Sequence, residues 1–393
     1  MPFARELTLD NWLSDAFRLR SFQRMRELLP SALIARSSAG PVLLPTAAAD
    51  LGGIELEGAD GATTTVARQL ETSYAEGLCV LKDGAIVHEQ YLNGLTEHTP
   101  HLMMSLTKSL CATLVGLQIG RGLYTRDTLA TDLVPELAGT SLDGATVSHL
   151  IDMTAGTLFS ETYDELADPG TETALTSFTR EAGYRRLGDR TPIGVLGHFR
   201  TYPLARPHGA WFDYRTPLTN VVGRIVELAA EQPFAEVVSR ELWGPLGQEH
   251  DASISLDPLG VALAGGGMSC TLRDLARLGL AYQQGGVARD QQVIPADWVA
   301  DTAAGGEDSA RAYADCETMS AEDRAGWDCY RNAFWIAEPG ETYSGIGMLG
   351  QACYIDRPSG VVIARFSSYP LDQRSALGRE TFRSFHAITE ALT

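Results

Sequence analysis

Two side chains, Ser105 and Lys108, have the types and the spacing to do chemistry together. The chain carries 31 basic residues, of which only Lys82 and Lys108 are lysine and the other 29 are arginine. An amine can give up its proton near neutral pH and a guanidinium cannot, so a lysine in a chain that otherwise uses arginine points to a titrating role. In Ser105-Leu106-Thr107-Lys108 hydroxyl and amine stand three residues apart, which puts both on one face of a helix. At the first turn of such a helix, free backbone N–H groups favour a developing alkoxide. A lysine whose proton affinity is lowered by burial can accept the serine proton. The competing reading is a capping serine followed by a solvated lysine; the apolar approach Leu102-Met103-Met104 favours the reactive arrangement. Such a nucleophile needs a second base and an oxyanion site. Tyr214, in Trp211-Phe212-Asp213-Tyr214-Arg215-Thr216-Pro217, is the candidate base, because a neighbouring lysine cation would favour its phenolate. Taken alone it would be a core aromatic.

The elements that must position these groups follow from periodicity. Leu102, Leu106, Leu110, Leu114 and Leu117 recur at helical spacing until Gly120 and Gly122 stop the pattern. Arg5 to Arg36 also reads as helical, and Ser37 to Gly61 as an irregular connection. Gly77 to Lys82 and Ala85 to Leu92 are strands joined by Asp83-Gly84, a dipeptide suited to a type I′ turn. Leu218 to Glu231 and Thr271 to Gln283 are helical, the second with Thr271 as N-cap and Asp274 completing a near capping box. Asn332 to Glu338, Ser344 to Asp356 and Gly360 to Ser367 are expected strands, and Arg374 to Leu392 a closing helix. Strands at both ends and helices between predict an α/β domain from residues 1–100 and 291–393, with a mostly helical domain, 101–290, inserted.

Composition narrows the function. A chain of 393 residues with 44% hydrophobic and 21% charged residues is globular. A net charge of −19 repels phosphate backbones, so nucleic acid is not an expected partner. There is no run of about 18 apolar residues, and Met1 to Leu29 lacks the apolar stretch of a secretory signal. Cys79, Cys111, Cys270, Cys316, Cys329 and Cys353 form no metal-ligand spacing. The expectation is a cytoplasmic protein with reduced thiols, no membrane partner, no cofactor and no metal. Gly345 to Gly350 matches G-x-G-x-x-G, but Gln351 to Asp356 continues as strand where a dinucleotide site needs a helix. Ser269 lacks the second glycine of a nucleophile elbow.

Met104-Ser105-Leu106-Thr107-Lys108-Ser109 resembles the nucleophile motif of the class C β-lactamase and penicillin-binding-protein-like serine hydrolases. Thr146 to Gly156, Trp243 to Gly247, Gly265 to Arg277 and the Tyr214 segment agree in the same order. Within that family, Leu7 to Trp12, Pro30 to Ala32, His101 to Cys111 and Val134 to Gly139 are similar to the nylon-oligomer (6-aminohexanoate-dimer) hydrolase subgroup, which has esterase and amidase members. The resemblance implies a β-lactamase/transpeptidase-like fold, an antiparallel sheet flanked by helices with an inserted all-helical domain. It implies Ser105 as nucleophile, Lys108 as proton acceptor and Tyr214 as general acid/base. Tyr163 would be a loop tyrosine over the substrate, and Gly345, Ile346 and Gly347 a substrate-binding edge strand. The N–H groups of Ser105 and Met348 would hold the oxyanion.

Two motifs depart from the family pattern. Tyr214-Arg215-Thr216 lacks the asparagine of Tyr-x-Asn, and Gly345-Ile346-Gly347 lacks the cation that binds a β-lactam carboxylate, so β-lactam hydrolysis is not expected. Thr179 stands where the nylon-oligomer enzymes carry an acid for an ammonium-tailed substrate. The reading is a serine hydrolase acting on a small-molecule amide or ester through an acyl-enzyme. The alternatives are an acyltransferase using the same intermediate and a non-catalytic ligand sensor. A homodimer is compatible with this reading.

Overall fold

The computed structural model describes residues 7–167 and 172–393. Its largest sheet has seven strands in the order Cys329–Arg331, Phe334–Glu338, Thr342–Gly347, Gln351–Asp356, Val361–Ser367, Ala75–Lys82 and Ala85–Tyr91, every pair antiparallel. Period-2 alternation sends Leu78, Val80, Val361 and Ile363 to one face, where Phe385 and Ile388 of the closing helix Arg374–Leu392 cover them. Cys79, Leu81, Val362 and Ala364 face the other way, against Leu275 and Leu278 of the helix Leu272–Gln283. With both faces covered, these strands read as continuous apolar runs. Asp83 and Gly84 both have positive φ, 50° and 81°, as the expected type I′ turn requires.

Beside this layer, the nucleophile helix Thr107–Gly120, buried along nearly its whole length, packs on the helix Thr216–Ala230. The 101–290 stretch also feeds the sheet layer, since Leu272–Gln283 covers the large sheet. Three of its short strands, Ala252–Ser255, Met268–Cys270 and His101–Leu102, join Ser31–Ile34 in a four-stranded sheet. Ser269 lies in the middle of one of them.

Four local expectations differ from the structure. The Arg5–Arg36 segment, whose residues before 7 lie outside the described ones, forms only the short helix Arg18–Ser21, a 3₁₀ turn Met25–Glu27 and the strand Ser31–Ile34. Trp12, Phe22, Met25 and Leu29 are each anchored in a cluster with Leu102, Met104 and Tyr369, and the Trp12 indole donates to the Tyr184 carbonyl at 3.0 Å. Tertiary anchoring has overridden helical propensity. Thr271 donates its hydroxyl to Asp274 at 2.8 Å instead of capping its own helix, while Asp274 accepts the backbone N–H groups of Glu249 and His250. Ser344 to Asp356 is two strands, Thr342–Gly347 and Gln351–Asp356, separated by a turn in which Leu349 and Gly350 have φ of 67° and 103°. Finally, the helix begins at Thr107 rather than Leu102, because Met104–Leu106 is a 3₁₀ turn entered through Met104 at φ 49°.

The strand Thr342–Gly347 lies directly on the nucleophile turn. A Cβ at Gly347 would sit 2.1 Å from the Met103 carbonyl oxygen, and one at Gly345 would sit 2.9 Å from Ser109 Oγ. Only glycine permits this approach. Gly347→Ala is expected to destabilise the protein by about 1–3 kcal/mol, the cost of overpacking a rigid contact. Thermal or urea denaturation checks this, and an unchanged midpoint would refute it.

Candidate active site

Ser105 occupies the 3₁₀ turn and Lys108 the first turn of the helix that follows. The positive φ of Met104 is a strained conformation for a branched-free but bulky residue, of order 1–3 kcal/mol, and it turns the chain so that Ser105 faces the cleft. Lys108 is 0% exposed. Its Nζ lies 2.8 Å from Ser105 Oγ and 3.0 Å from Thr216 Oγ1, and it also donates to the Gly265 carbonyl. Burial holds the amine down at about 8, against opposition from the negative charge of Glu161. The Gly265 carbonyl is itself fixed, because its N–H donates to Asn220 Oδ1 at 2.9 Å.

Tyr214 stands just before the helix Thr216–Ala230, with its phenol close enough to Ser105 and Tyr330 for both to influence its proton affinity. Its ring stacks on Trp335 with centroids 5.7 Å apart, and Lys108 Nζ sits 5.0 Å from the ring centroid. Contrary to the sequence expectation, the phenol is not poised as an anion. Burial, reinforced by Glu161, pushes its proton affinity above the ordinary value, although the neighbouring Ser105 and Tyr330 hydroxyls oppose the shift. Lys108 lies over the ring face, where its charge does little for the phenol oxygen.

Tyr163 opens a 3₁₀ turn, Tyr163–Ala167, and donates to Glu161 Oε1 at 2.7 Å. Glu161 is the residue that sequence reasoning passed over. Its carboxylate accepts the Thr216 backbone N–H at 2.5 Å and the Thr216 hydroxyl at 2.6 Å. Thr216, at the position of the asparagine of Tyr-x-Asn, is here a partner of the lysine.

Ser105 sits where two cavities meet. The larger, about 1760 Å³, is lined by Tyr214, Trp335, Ile346 and Gly347 among others. The smaller, about 90 Å³, is apolar and lined by Trp12, Leu175, Phe178, Thr179 and Tyr184. Met348 borders both. Gly345, expected among the substrate-binding residues, lines neither cavity and packs on Ser109. Thr179 turns its hydroxyl to the Thr176 carbonyl at 2.8 Å. Gly345 to Gly350 runs from strand through turn toward the next strand, with no helix after it.

The fold and this serine–lysine–tyrosine cluster define a serine hydrolase of the β-lactamase class. A family model described as Beta-lactamase matches residues 65–386, and the chain belongs to that family. Among individual proteins, it is 33% identical over 369 residues to the 6-aminohexanoate-dimer hydrolase of Paenarthrobacter ureafaciens, covering 93% of this chain and 89% of that one. It is 28% identical to esterase EstB of Burkholderia gladioli over 211 residues, 50% of this chain and 48% of the other. A solved structure from Bacillus anthracis described as a 6-aminohexanoate-dimer hydrolase superposes with a TM-score of 0.87 at 22% identity, covering 100% of this chain and 98% of that one. EstCE1, a hydrolase with promiscuous acyltransferase activity, superposes at 0.62 and 15% identity, covering 82% and 96%. These two structures speak for the fold. No helix among the described residues is long and apolar enough to cross a membrane.

The depressed proton affinity of Lys108 is also a stability statement. Between about 8 and 10.5 the unfolded lysine keeps a proton that the folded one has lost, so stability rises with pH across that window and the full penalty is present below it. The wild type is therefore expected to gain stability relative to Lys108→Met as pH is raised from 8 to 10.5, by on the order of 3 kcal/mol. Denaturation series on both proteins at several pH values check this; parallel pH curves would contradict it.

Proposed function

We propose that this chain hydrolyses an amide or ester bond of a small molecule through an acyl-enzyme on Ser105. The observation that carries the proposal is the fully buried Lys108 amine within 2.8 Å of Ser105 Oγ. Neutral Lys108 takes the Ser105 proton as Oγ attacks the substrate carbonyl. The N–H groups of Ser105 and Met348 receive the oxyanion. Tyr214, kept protonated by burial, gives its proton to the departing amine or alcohol and recovers one from the Lys108 ammonium. Water then enters, and the same groups run the sequence in reverse to release the acid. Lys108 is the base in this scheme and Tyr214 the acid, a sharper division than the sequence suggested. A pure ligand sensor would have no use for a desolvated amine on the serine.

The two cavities bear on substrate class. The small apolar pocket beside Thr179 suits a compact uncharged group, whereas an ammonium tail would find no free carboxylate there, since Glu161 is occupied by Thr216 and Tyr163. This favours esters and amides with neutral substituents over the linear amino-amide named for the Paenarthrobacter relative. A second reading is acyl transfer, favoured by a large cavity with room for an alcohol or amine acceptor beside the acyl group. The six cysteines are unpaired and buried, which supports the proposed cytoplasmic setting.

Ser105→Ala is expected to abolish p-nitrophenyl ester turnover and fluorophosphonate labelling while leaving the thermal midpoint within a few degrees; retained turnover would remove the mechanism. Lys108→Arg, which keeps charge but not basicity, should lower kcat/KM by at least about 100-fold. For the wild type kcat/KM should rise with pH to a plateau above about 8, where Lys108 is neutral. A rate already maximal at pH 6 would exclude Lys108 as the base. Among substrates, short neutral esters should exceed ammonium-tailed linear amides in kcat/KM, and the reverse order would overturn the assignment of the small pocket.

A further inference from the structure

We infer that Glu161 is a positioning residue that aims the lone pair of Lys108 at Ser105, acting through the Thr216 hydroxyl. The inference rests on the reading of Lys108 as the base for Ser105. Three groups surround Lys108 Nζ at hydrogen-bonding distance: Ser105 Oγ, Thr216 Oγ1 and the Gly265 carbonyl. A neutral amine has two hydrogens and one lone pair to distribute among them. The Gly265 carbonyl can only accept. A threonine hydroxyl has one hydrogen, and here that hydrogen is committed to Glu161 Oε1 at 2.6 Å, because a carboxylate has no hydrogen to offer in return. Thr216 therefore turns lone pairs toward Lys108 and must accept from it.

With both amine hydrogens taken, the remaining direction, the lone pair, faces Ser105. Ser105 then has to donate to nitrogen, which is the ground-state arrangement that proton abstraction needs. Were the Thr216 hydrogen free, it could occupy that lone pair itself and leave Ser105 as an acceptor from the amine, an unproductive arrangement. Glu161 suits this task because it is held on several sides, by the Thr216 backbone N–H at the helix start and by the Tyr163 hydroxyl. The titratable groups near the amine are Glu161, Cys111 and Tyr214. Of these, Glu161 does most, ahead of Cys111, to hold the amine's proton affinity up against burial.

The test is a double-mutant cycle of Glu161→Gln and Thr216→Val, with Thr216→Ser as the hydroxyl-retaining control, read as kcat, KM and pH profile on a p-nitrophenyl ester. Each single variant should lower kcat by about 10- to 100-fold with KM changed little. The double variant should be no slower than Thr216→Val alone, since Glu161 acts through that hydroxyl. Thr216→Ser should keep at least half the activity. Glu161→Gln should also move the acidic limb of kcat/KM to lower pH, whereas Thr216→Val should leave the limb in place; a merely structural cap would move neither. Losses that multiply in the double variant, or an effect of Glu161→Gln confined to KM, would overturn the inference and assign Glu161 to substrate contact. Failure of a fluorophosphonate to label Ser105 in the wild type would overturn the hydrolase reading and this inference together. Labelling with an additive cycle would overturn this inference alone.

Discussion

An amine removed from water favours its neutral form, and that single preference underlies the chemistry of this molecule. Burial brings Lys108 down to about 8, some two to three pH units below an exposed lysine. Without that shift the residue would be a permanent cation beside Ser105 and could stabilise an alkoxide but not create one. The chief counterweight is Glu161, whose charge opposes the effect of burial on the amine. Burial and the carboxylate thus pull in opposite directions. Their balance leaves the group titrating close to neutral pH, where a general base combines availability with strength. The same burial acts on Tyr214 with the opposite outcome, because for a phenol the neutral form is the protonated one. In the proposed mechanism, one dry environment therefore prepares a base and an acid beside the same serine.

Keeping that environment dry depends on a close approach between two layers. The strand Thr342–Gly347 settles on the nucleophile turn because Gly345 and Gly347 present no side chains to Ser109 and Met103. In relatives of the β-lactamase kind the first of these positions carries a cation for a substrate carboxylate. Here it is a glycine directed at the helix, so the strand offers backbone, together with Ile346 and Met348 at the cleft. On the proposed reading, recognition at this strand rests on cavity shape rather than on a charge.

What could be read from residue order was what depends on short-range pattern. The Ser105–Lys108 spacing, the Asp83-Gly84 turn and the helix Arg374–Leu392 each lie within a few residues of chain, where periodicity and turn chemistry suffice. The turn at Met348–Gly350 was hidden because strands covered on both faces merge into one apolar run. The Arg5–Arg36 segment misled for a related reason: its apolar residues have helical spacing but are anchored to separate partners, Tyr184, Leu102 and Tyr369 among them. Glu161 had no local signature at all. Its partners, Thr216 N and Oγ1, are 55 residues away, and a carboxylate beside a loop tyrosine reads as surface until the helix start is seen to fall on it. The substitution of threonine for asparagine in Tyr214-Arg215-Thr216 was a usable clue. A residue that can both donate and accept invites the question of where its hydrogen goes.

That question bears on how the site has diverged. An asparagine amide beside the lysine presents an oxygen and two hydrogens on separate atoms, so its orientation toward the amine can be set by its own flip. A threonine hydroxyl carries donor and acceptor on one atom, and its direction must be imposed from outside. A fixed acceptor behind the hydroxyl sets that direction, and Glu161 stands in that place, held by the helix start and by Tyr163. The carboxylate that does this is no longer available to an ammonium-bearing substrate. On the proposed reading, a change that reads in the sequence as the loss of a β-lactam contact thus links proton transfer to substrate choice: the carboxylate that orients the base is already engaged by Thr216 and Tyr163, and the small pocket favours neutral ligands.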